Sequence, residues 1–264
     1  MSYETLQTQL SQGVALIWLN RPDLRNAMND VVIAELTDAF ERAGDDDEVR
    51  AIVLAGHGSA FCAGGDLGWM KRAREFTPEE NRADAAKLAK MLRTIYENPK
   101  PVVARVRGAA FAGGMGLVAA CDIAVASADA KFCLSEVKLG LIPAMISPYV
   151  IRAIGEQAAR RYFLTAELFE AAEAYRIGLV HELCMPAELD ASVNAMLGHL
   201  LQGGPVALGE GKRLIRDVAG KAIDDALAAE TAARIAAARA SDEGQEGIAA
   251  FFEKRRPAWV PSQS

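Results

Sequence analysis

Two glycine-bearing loops, each set between a strand-like run and a helix start, constrain this chain more than any other feature. The first is Ser59-Ala60-Phe61-Cys62-Ala63-Gly64-Gly65-Asp66, following the apolar run 51–55. The second is Arg107-Gly108-Ala109-Ala110-Phe111-Ala112-Gly113-Gly114-Met115-Gly116, following the run 101–106 and opening a short apolar helix over 115–121. A helix start leaves its first N–H groups unpaired at the positive end of the helix. Small residues let a negative oxygen come close to those groups. Two such loops facing one another make an oxyanion hole, and Glu136 is the carboxylate to work beside it.

The rest of the first half alternates strand and helix. Residues 6–10 and 14–19 predict a hairpin with its turn near Gln12-Gly13. Asn29 or Asp30 caps a helix running through Ala43, with Val32, Leu36, Ala39 and Phe40 at helical spacing. A short apolar strand covers 49–55, and Thr77-Pro78-Glu79-Glu80 starts a helix that ends near Asn98. Strands at 102–106 and 123–126 complete the signature of an α/β layered core built from crossover units.

From Pro148 onward nearly everything has helical periodicity: 149–154, 156–164, 170–177, 189–202, 205–218, 223–239 and 247–254, with one strand over 180–184. The stripe Ile223, Leu227, Ala228, Thr231, Ile235 and Ala238 predicts a packed helix. The chain divides on this pattern into a core over 1–195 and a helical C-terminal region over 196–264.

Composition excludes several classes. A net charge of -6 disfavours nucleic acid or an anionic membrane as the main partner. Neither a long apolar run nor a charged-then-apolar start is present, so the expected location is the cytoplasm. Cys62, Cys121, Cys133 and Cys184 form no CxxC pair, and His57, His181 and His199 lack ligand spacing, so no metal is expected. Cys62 adjoins Ala63 but has no nearby base in sequence and reads as a packing cysteine. Gly114-Met115-Gly116-Leu117-Val118-Ala119 fits the dinucleotide fingerprint G-x-G-x-x-A, with Glu136 in the place of a ribose-binding acid. That oxidoreductase reading leaves the 59–66 loop and the C-terminal Lys254 motif unexplained.

Further motifs gather around the two loops. They are Asn20-Arg21-Pro22, Arg25-Asn26-Ala27-Met28-Asn29, Phe61 to Leu67, Gly108 to Asp122, Phe132 to Glu136, Leu139-Gly140-Leu141-Ile142-Pro143, 174–180 and Ala250-Phe251-Phe252-Glu253-Lys254-Arg255. In this order and spacing they resemble the crotonase (enoyl-CoA hydratase/isomerase) family along essentially the whole chain. The resemblance implies a repeated ββα spiral core, a helical C-terminal trimerisation region, and trimers often paired into hexamers. It implies an acyl-CoA thioester as substrate, with no metal or redox cofactor. Carried onto this sequence, the oxyanion donors are the N–H groups of Ala63 and Gly113. Backbone at Arg25 and Ala27 meets the CoA nucleotide, and Phe251 and Lys254 help to bind CoA, often from a neighbouring subunit. Gly64, Asp66, Leu67 and Trp69 border the acyl group, and Pro143 shapes the chain beyond Glu136.

One departure bears on the chemistry. Hydratases of the family usually carry two glutamates; the second matches Glu136, but the first falls at Gly116. Single-glutamate members include isomerases, which need one base to move a proton between carbons. The runs 134–148 and Asp66-Leu67-Gly68-Trp69-Met70 resemble bacterial methylglutaconyl-CoA hydratases, so hydration is the expectation. The substrate's distal carboxylate, or a cation among Lys71, Arg72 and Lys138, then helps to order the water. Isomerisation is the alternative, and a non-catalytic acyl-CoA-binding protein is the alternative of another class.

Overall fold

The computed structural model describes residues 3–260. Its strands are β1 (Leu6–Ser11), β2 (Val14–Leu19), β3 (Ala51–Gly56), β4 (Ala60–Cys62), β5 (Val102–Val106), β6 (Ala109–Phe111), β7 (Ile123–Ser127), β8 (Lys131–Cys133), β9 (Phe169–Glu170) and β10 (Glu182–Cys184). Its helices are α1 (Asp30–Asp45), α2 (Leu67–Ala73), α3 (Pro78–Glu97), α4 (Gly113–Ala120), α5 (Ser147–Thr165), α6 (Ala171–Arg176), α7 (Leu189–Leu200), α8 (Pro205–Val218), α9 (Asp225–Ala240) and α10 (Asp242–Glu253).

The strands form two sheets. The larger runs β1-β2-β3-β5-β7-β10 and the smaller β4-β6-β8-β9. Pairing is parallel except for the β1–β2 hairpin and the β8–β9 edge. The chain therefore spirals: β3, β5 and β7 lie side by side in the large sheet, and each is followed by a short strand, β4, β6 or β8, in the small one. A helix or turn then leads back. The expected repeated ββα core is present.

Local chemistry explains the element ends. Gln12 and Gly13 both take positive φ, +50° and +78°, as a tight hairpin turn requires. Asn29 caps α1 by accepting the Val32 N–H at 3.0 Å. Thr77 and Glu80 form a reciprocal capping box on α3. The two helices expected at 149–154 and 156–164 lie end to end within α5 and break at Gly155, whose φ of +74° and ψ of 162° are not helical and are open to glycine.

Strand β3 is buried along its whole length, as expected of a sheet covered on both faces. Ile52 and Leu54 pack with Val32, Leu36 and Phe40 of α1 and with Met91 and Leu92 of α3. Their neighbours Ala51 and Val53 point the other way, to Leu189, Val193 and Leu197 of α7. This period-two division puts one core on each side of the large sheet.

The C-terminal helices correct one expectation. No residue of α9 is fully buried: Leu227 and Thr231 of the stripe are half-buried, Ile235 is 51% exposed, and Ile223, which precedes the helix, is 96% exposed. The stripe is only partly covered within the protomer. Side-chain bonds fasten the chain here: Arg50 donates to the carbonyls of Trp259 at 2.9 Å and Gly203 at 2.7 Å. Among the described residues no helix is long and apolar enough to cross a membrane.

Candidate active site

The spiral brings three loops to one edge. Gly65 follows β4, Gly113 follows β6 and Glu136 follows β8, each two or three residues beyond its strand. Because β4, β6 and β8 are adjacent and parallel, these residues occupy equivalent places on successive turns.

The first loop is held by a remote segment. Met28 donates to the Gly64 carbonyl at 2.8 Å, Asp66 donates to the Met28 carbonyl at 2.8 Å, and Ala63 donates to the Arg25 carbonyl at 3.0 Å. The Gly64 N–H faces the Cys62 thiol. Ala63 is thereby corrected as a donor, because its N–H is already spent inside the fold. Among the N–H groups of 63–66, those of Gly64 and Gly65 have no backbone acceptor; Gly64 is buried, whereas Gly65 is half-buried and so is the reachable donor. Sequence reasoning missed Gly65 because the choice depends on pairing with residues 25–28.

The second loop opens α4 two residues earlier than expected. Ala112 donates to the Cys133 carbonyl at 2.8 Å, and Gly116 closes the first helical bond to Ala112 at 3.1 Å. The N–H groups of Gly113, Gly114 and Met115 have no acceptor. Gly114 and Met115 are buried, which leaves Gly113 as the reachable donor. Ala112, at φ +47° and ψ −118°, holds a strained turn that starts the helix there. The two loops touch: a Cβ at Gly64 would sit 3.2 Å from both the Ala112 Cβ and the Phe111 carbonyl.

This geometry removes the dinucleotide reading. Gly114 and Gly116 lie inside the helix rather than in a turn before it. A Cβ on Gly114 would lie 2.9 Å from the Cys62 Cβ, and Gly116 is closed off by Ile146, so neither glycine lines space for a pyrophosphate.

Glu136 begins a 3-10 turn over Glu136–Leu139 that ends at Gly140, φ +69°. It is half-buried, its Oε2 is buried without a hydrogen-bond partner, and burial raises its carboxyl above the usual range. Burial also pushes the Cys62 thiol up to about 12, which makes it inert.

The remaining expected residues fall into two groups. Asp66 turns its carboxylate inward: Oδ1 accepts the Trp69 N–H at 3.0 Å and Oδ2 pairs with Arg21 at 3.0 Å. It holds the loop rather than lining the substrate, which corrects its expected role. Arg25 and Ala27 have both backbone N–H groups committed, to Pro22 and Leu24, and their carbonyls accept from Ala63 and the Arg21 guanidinium. Each carbonyl keeps one lone pair. Trp69 is half-buried and donates to Asp84 at 3.4 Å, and its ring edge lies 3.6 Å from where a Gly65 side chain would start.

Leu67 is 82% exposed beside the first loop, and Pro143 is buried in the turn before α5. Arg72 pairs with Asp30 at 2.8 Å, whereas Lys71 and Lys138 are exposed. Phe251, 78% exposed, and Lys254, which ends α10 at φ +57°, stand on the outer helices.

The arrangement places two free N–H groups and one half-buried carboxyl on a single edge. It suits a reaction in which negative charge grows on a carbonyl oxygen while a proton moves nearby. The model of the enoyl-CoA hydratase/isomerase family matches residues 9–262. A crotonyl-CoA hydratase from Syntrophomonas wolfei is 32% identical, over 98% of this chain and 99% of its own. An enoyl-CoA hydratase from Shewanella pealeana superposes with a TM-score of 0.94 at 42% identity, covering 97% of this chain and 96% of its own. Pseudomonas aeruginosa AtuE superposes with a TM-score of 0.93 at 39% identity, covering 98% of this chain and all of its own. With its glycine loops and Glu136 on successive turns of the spiral, this chain belongs to the enoyl-CoA hydratase/isomerase family.

Proposed function

We propose that the protein adds water across the α,β-double bond of an enoyl-CoA thioester, with Glu136 as the single acid–base group. The observation that carries this reading is the buried, unpartnered Oε2 of Glu136 on the same edge as the free N–H groups of Gly65 and Gly113. The water oxygen bonds to the β-carbon while Glu136 takes its proton. The double-bond electrons move toward the thioester oxygen, where the two N–H groups meet the charge. Glu136 then returns the proton to the α-carbon, and the enolate collapses. Each fixed donor is worth a few kcal/mol, about 3, to such a step. A carboxyl raised by burial both accepts and returns a proton near neutral pH. Every proton and charge is handled by these groups, so the reaction as written needs no metal or redox carrier.

The acyl group we propose is a branched one, 3-methylglutaconyl-CoA, on the resemblance of 66–70 and 134–148. Of Lys71, Arg72 and Lys138, Arg72 is paired with Asp30, and the exposed Lys71 and Lys138 are the cations we assign to its distal carboxylate. Gly116 also supports a second reading, isomerisation of a 3-enoyl-CoA, which needs no water-ordering partner. Exposed Val206, Ile215, Ile235, Phe251 and Phe252 on the C-terminal helices support self-association, as a trimer or hexamer that brings Phe251 and Lys254 to a neighbour's CoA.

The deciding assay measures hydration of crotonyl-CoA and 3-methylglutaconyl-CoA and isomerisation of a 3-enoyl-CoA, with and without Glu136→Gln. Hydration lost in the variant supports the proposal. Isomerisation without hydration replaces it by the second reading, and binding without turnover replaces it by a binding role. Light scattering of the purified protein gives the number of copies.

A further inference from the structure

Met28 touches both halves of the oxyanion hole. Its backbone lies in register with Gly65: its N–H reaches the Gly64 carbonyl and its carbonyl takes the Asp66 N–H, each at 2.8 Å. These two bonds bracket Gly65 and fix the plane of its peptide. At the same time the Met28 terminal methyl, Cε, lies against Gly113, where a Cβ would overlap it. Met28 is 2% exposed, so the side chain has no second place to go. It is tied in turn to α1, because Asn29 next to it caps that helix.

The loops also meet directly, at Gly64 against Ala112 and at Gly114 against Cys62. Those contacts set how close the loops can come. Met28 is the residue that bonds to one side and packs on the other.

We propose that Met28 is a positioning residue that sets the spacing and direction of the two N–H donors. This rests on the reading of Gly65 and Gly113 as the pair that meets the thioester oxygen. Met28 touches no reacting atom. Its side chain acts as a spacer, and its length carries the effect. Misplacing a group by about 1 Å can cost on the order of a hundredfold in rate.

The test uses the full-length protein saturated with butyryl-CoA carrying carbon-13 at the thioester carbonyl, a saturated probe that is not turned over. Infrared difference spectra report how strongly the carbonyl is polarised. In the native protein the band is expected below its position in water. Met28→Leu nearly conserves volume, a swap that cores tolerate, but withdraws the terminal methyl. It is expected to lose a measurable part of the shift and about tenfold in kcat, with KM changed less than about twofold. Met28→Ala is expected to lose more of both.

If both variants fold and keep the full shift and kcat, the proposal is overturned and Met28 only fills the core. If Met28→Ala does not fold, Met28→Leu decides alone. If the native protein shows no shift, the donor assignment itself fails and the proposal falls with it. A native shift with unaltered variants fails Met28 alone.

Discussion

Ile146 occupies the space that a side chain at Gly116 would enter: a Cβ there would overlap its Cγ2 and lie 2.8 Å from its Cβ. Gly116 is in the first turn of α4 and Ile146 immediately precedes α5, and both are buried. The absent glutamate is thus a matched pair of residues from segments far apart in the chain.

Gly116→Ala should therefore be destabilising even though helix propensity alone favours alanine by about 1 kcal/mol. Overpacking of this kind costs about 1–3 kcal/mol. Ile146→Ala withdraws Cγ2 at a cavity cost of its own, about 2–5 kcal/mol. The double variant should be more stable than the sum of the two losses. Melting curves of the four proteins give the coupling directly, and simple additivity would refute the contact. The same contact means that Gly116→Glu alone does not install a second carboxylate beside Glu136; Gly116→Glu with Ile146→Ala is the variant that asks whether hydration improves.

Glu136 should show itself through pH. Its carboxyl is raised by burial, so the folded state holds the proton more tightly than the unfolded chain. Stability contributed by the protonated form is full below the unfolded value and is lost as pH rises through the folded one. Glu136→Gln should thus gain stability relative to native at pH 8, and the gap should close as pH falls toward 4. Activity runs the opposite way, since the base must be ionised: kcat/KM should fall on the acid side with a midpoint above the ordinary carboxylate range. The variant should lose about 10²–10⁴ in kcat. Parallel melts and rate profiles from pH 4 to 8 check both signs.

The large elements were legible because each carries its own local signal. The hairpin turn at Gln12-Gly13, the Asn29 cap and the Thr77 box all stand where their chemistry predicts. The small sheet was not legible from periodicity, since β4, β6 and β8 are three residues each, too short to display alternation. Only the family resemblance anticipated the repeat. Within the site, the loops themselves pointed to an oxyanion hole beside Glu136, and the resemblance to the family supplied Gly113 as one donor. Gly65 was missed for Ala63 because the acceptor that decides between them, the Arg25 carbonyl, belongs to a distant segment. The stripe on α9 had correct helical spacing, but spacing cannot say whether the partner surface lies in the same protomer.

Asp66 offers a test of loop order separate from chemistry. It caps α2 and pairs with Arg21, and both side chains are about 15% exposed, at 14% and 16%. The Trp69 N–H, with Arg21 behind it, holds its carboxyl below the usual range, so its contribution is present above the unfolded value and lost as pH falls. Asp66→Ala should cost about 1–2 kcal/mol, as for a lost cap. If the loop carries the Gly65 donor, kcat should fall about tenfold or more while KM moves little. A variant that melts lower but turns over at the native rate would show that the loop holds its geometry without the carboxylate.

The last prediction concerns how the outer helices are fastened. Lys212 of α8 pairs with Asp122 at 2.7 Å, with side chains 9% and 26% exposed, and Asp122 also accepts the Val102 N–H at 2.7 Å. No residue of α8 is buried as a whole, so polar bonds fasten it: this ion pair, Lys212 donating to the Lys100 carbonyl at 3.2 Å, Arg216 donating to the Tyr96 carbonyl at 3.4 Å, and the N–H groups of Val206 and Ala207 donating to Glu243. Removing one partner leaves a charge in a largely dry place, a loss of about 3–5 kcal/mol, whereas removing both costs less. Lys212→Met should therefore melt well below native, and Asp122→Asn with Lys212→Met should recover part of the loss. Hydrogen exchange should rise first in Pro205–Val218 while β3 and β5 stay protected, because the break is at the attachment and not in the sheet. If exchange instead rose throughout the sheet, Asp122 would be stabilising β5 directly through Val102 rather than anchoring the helix.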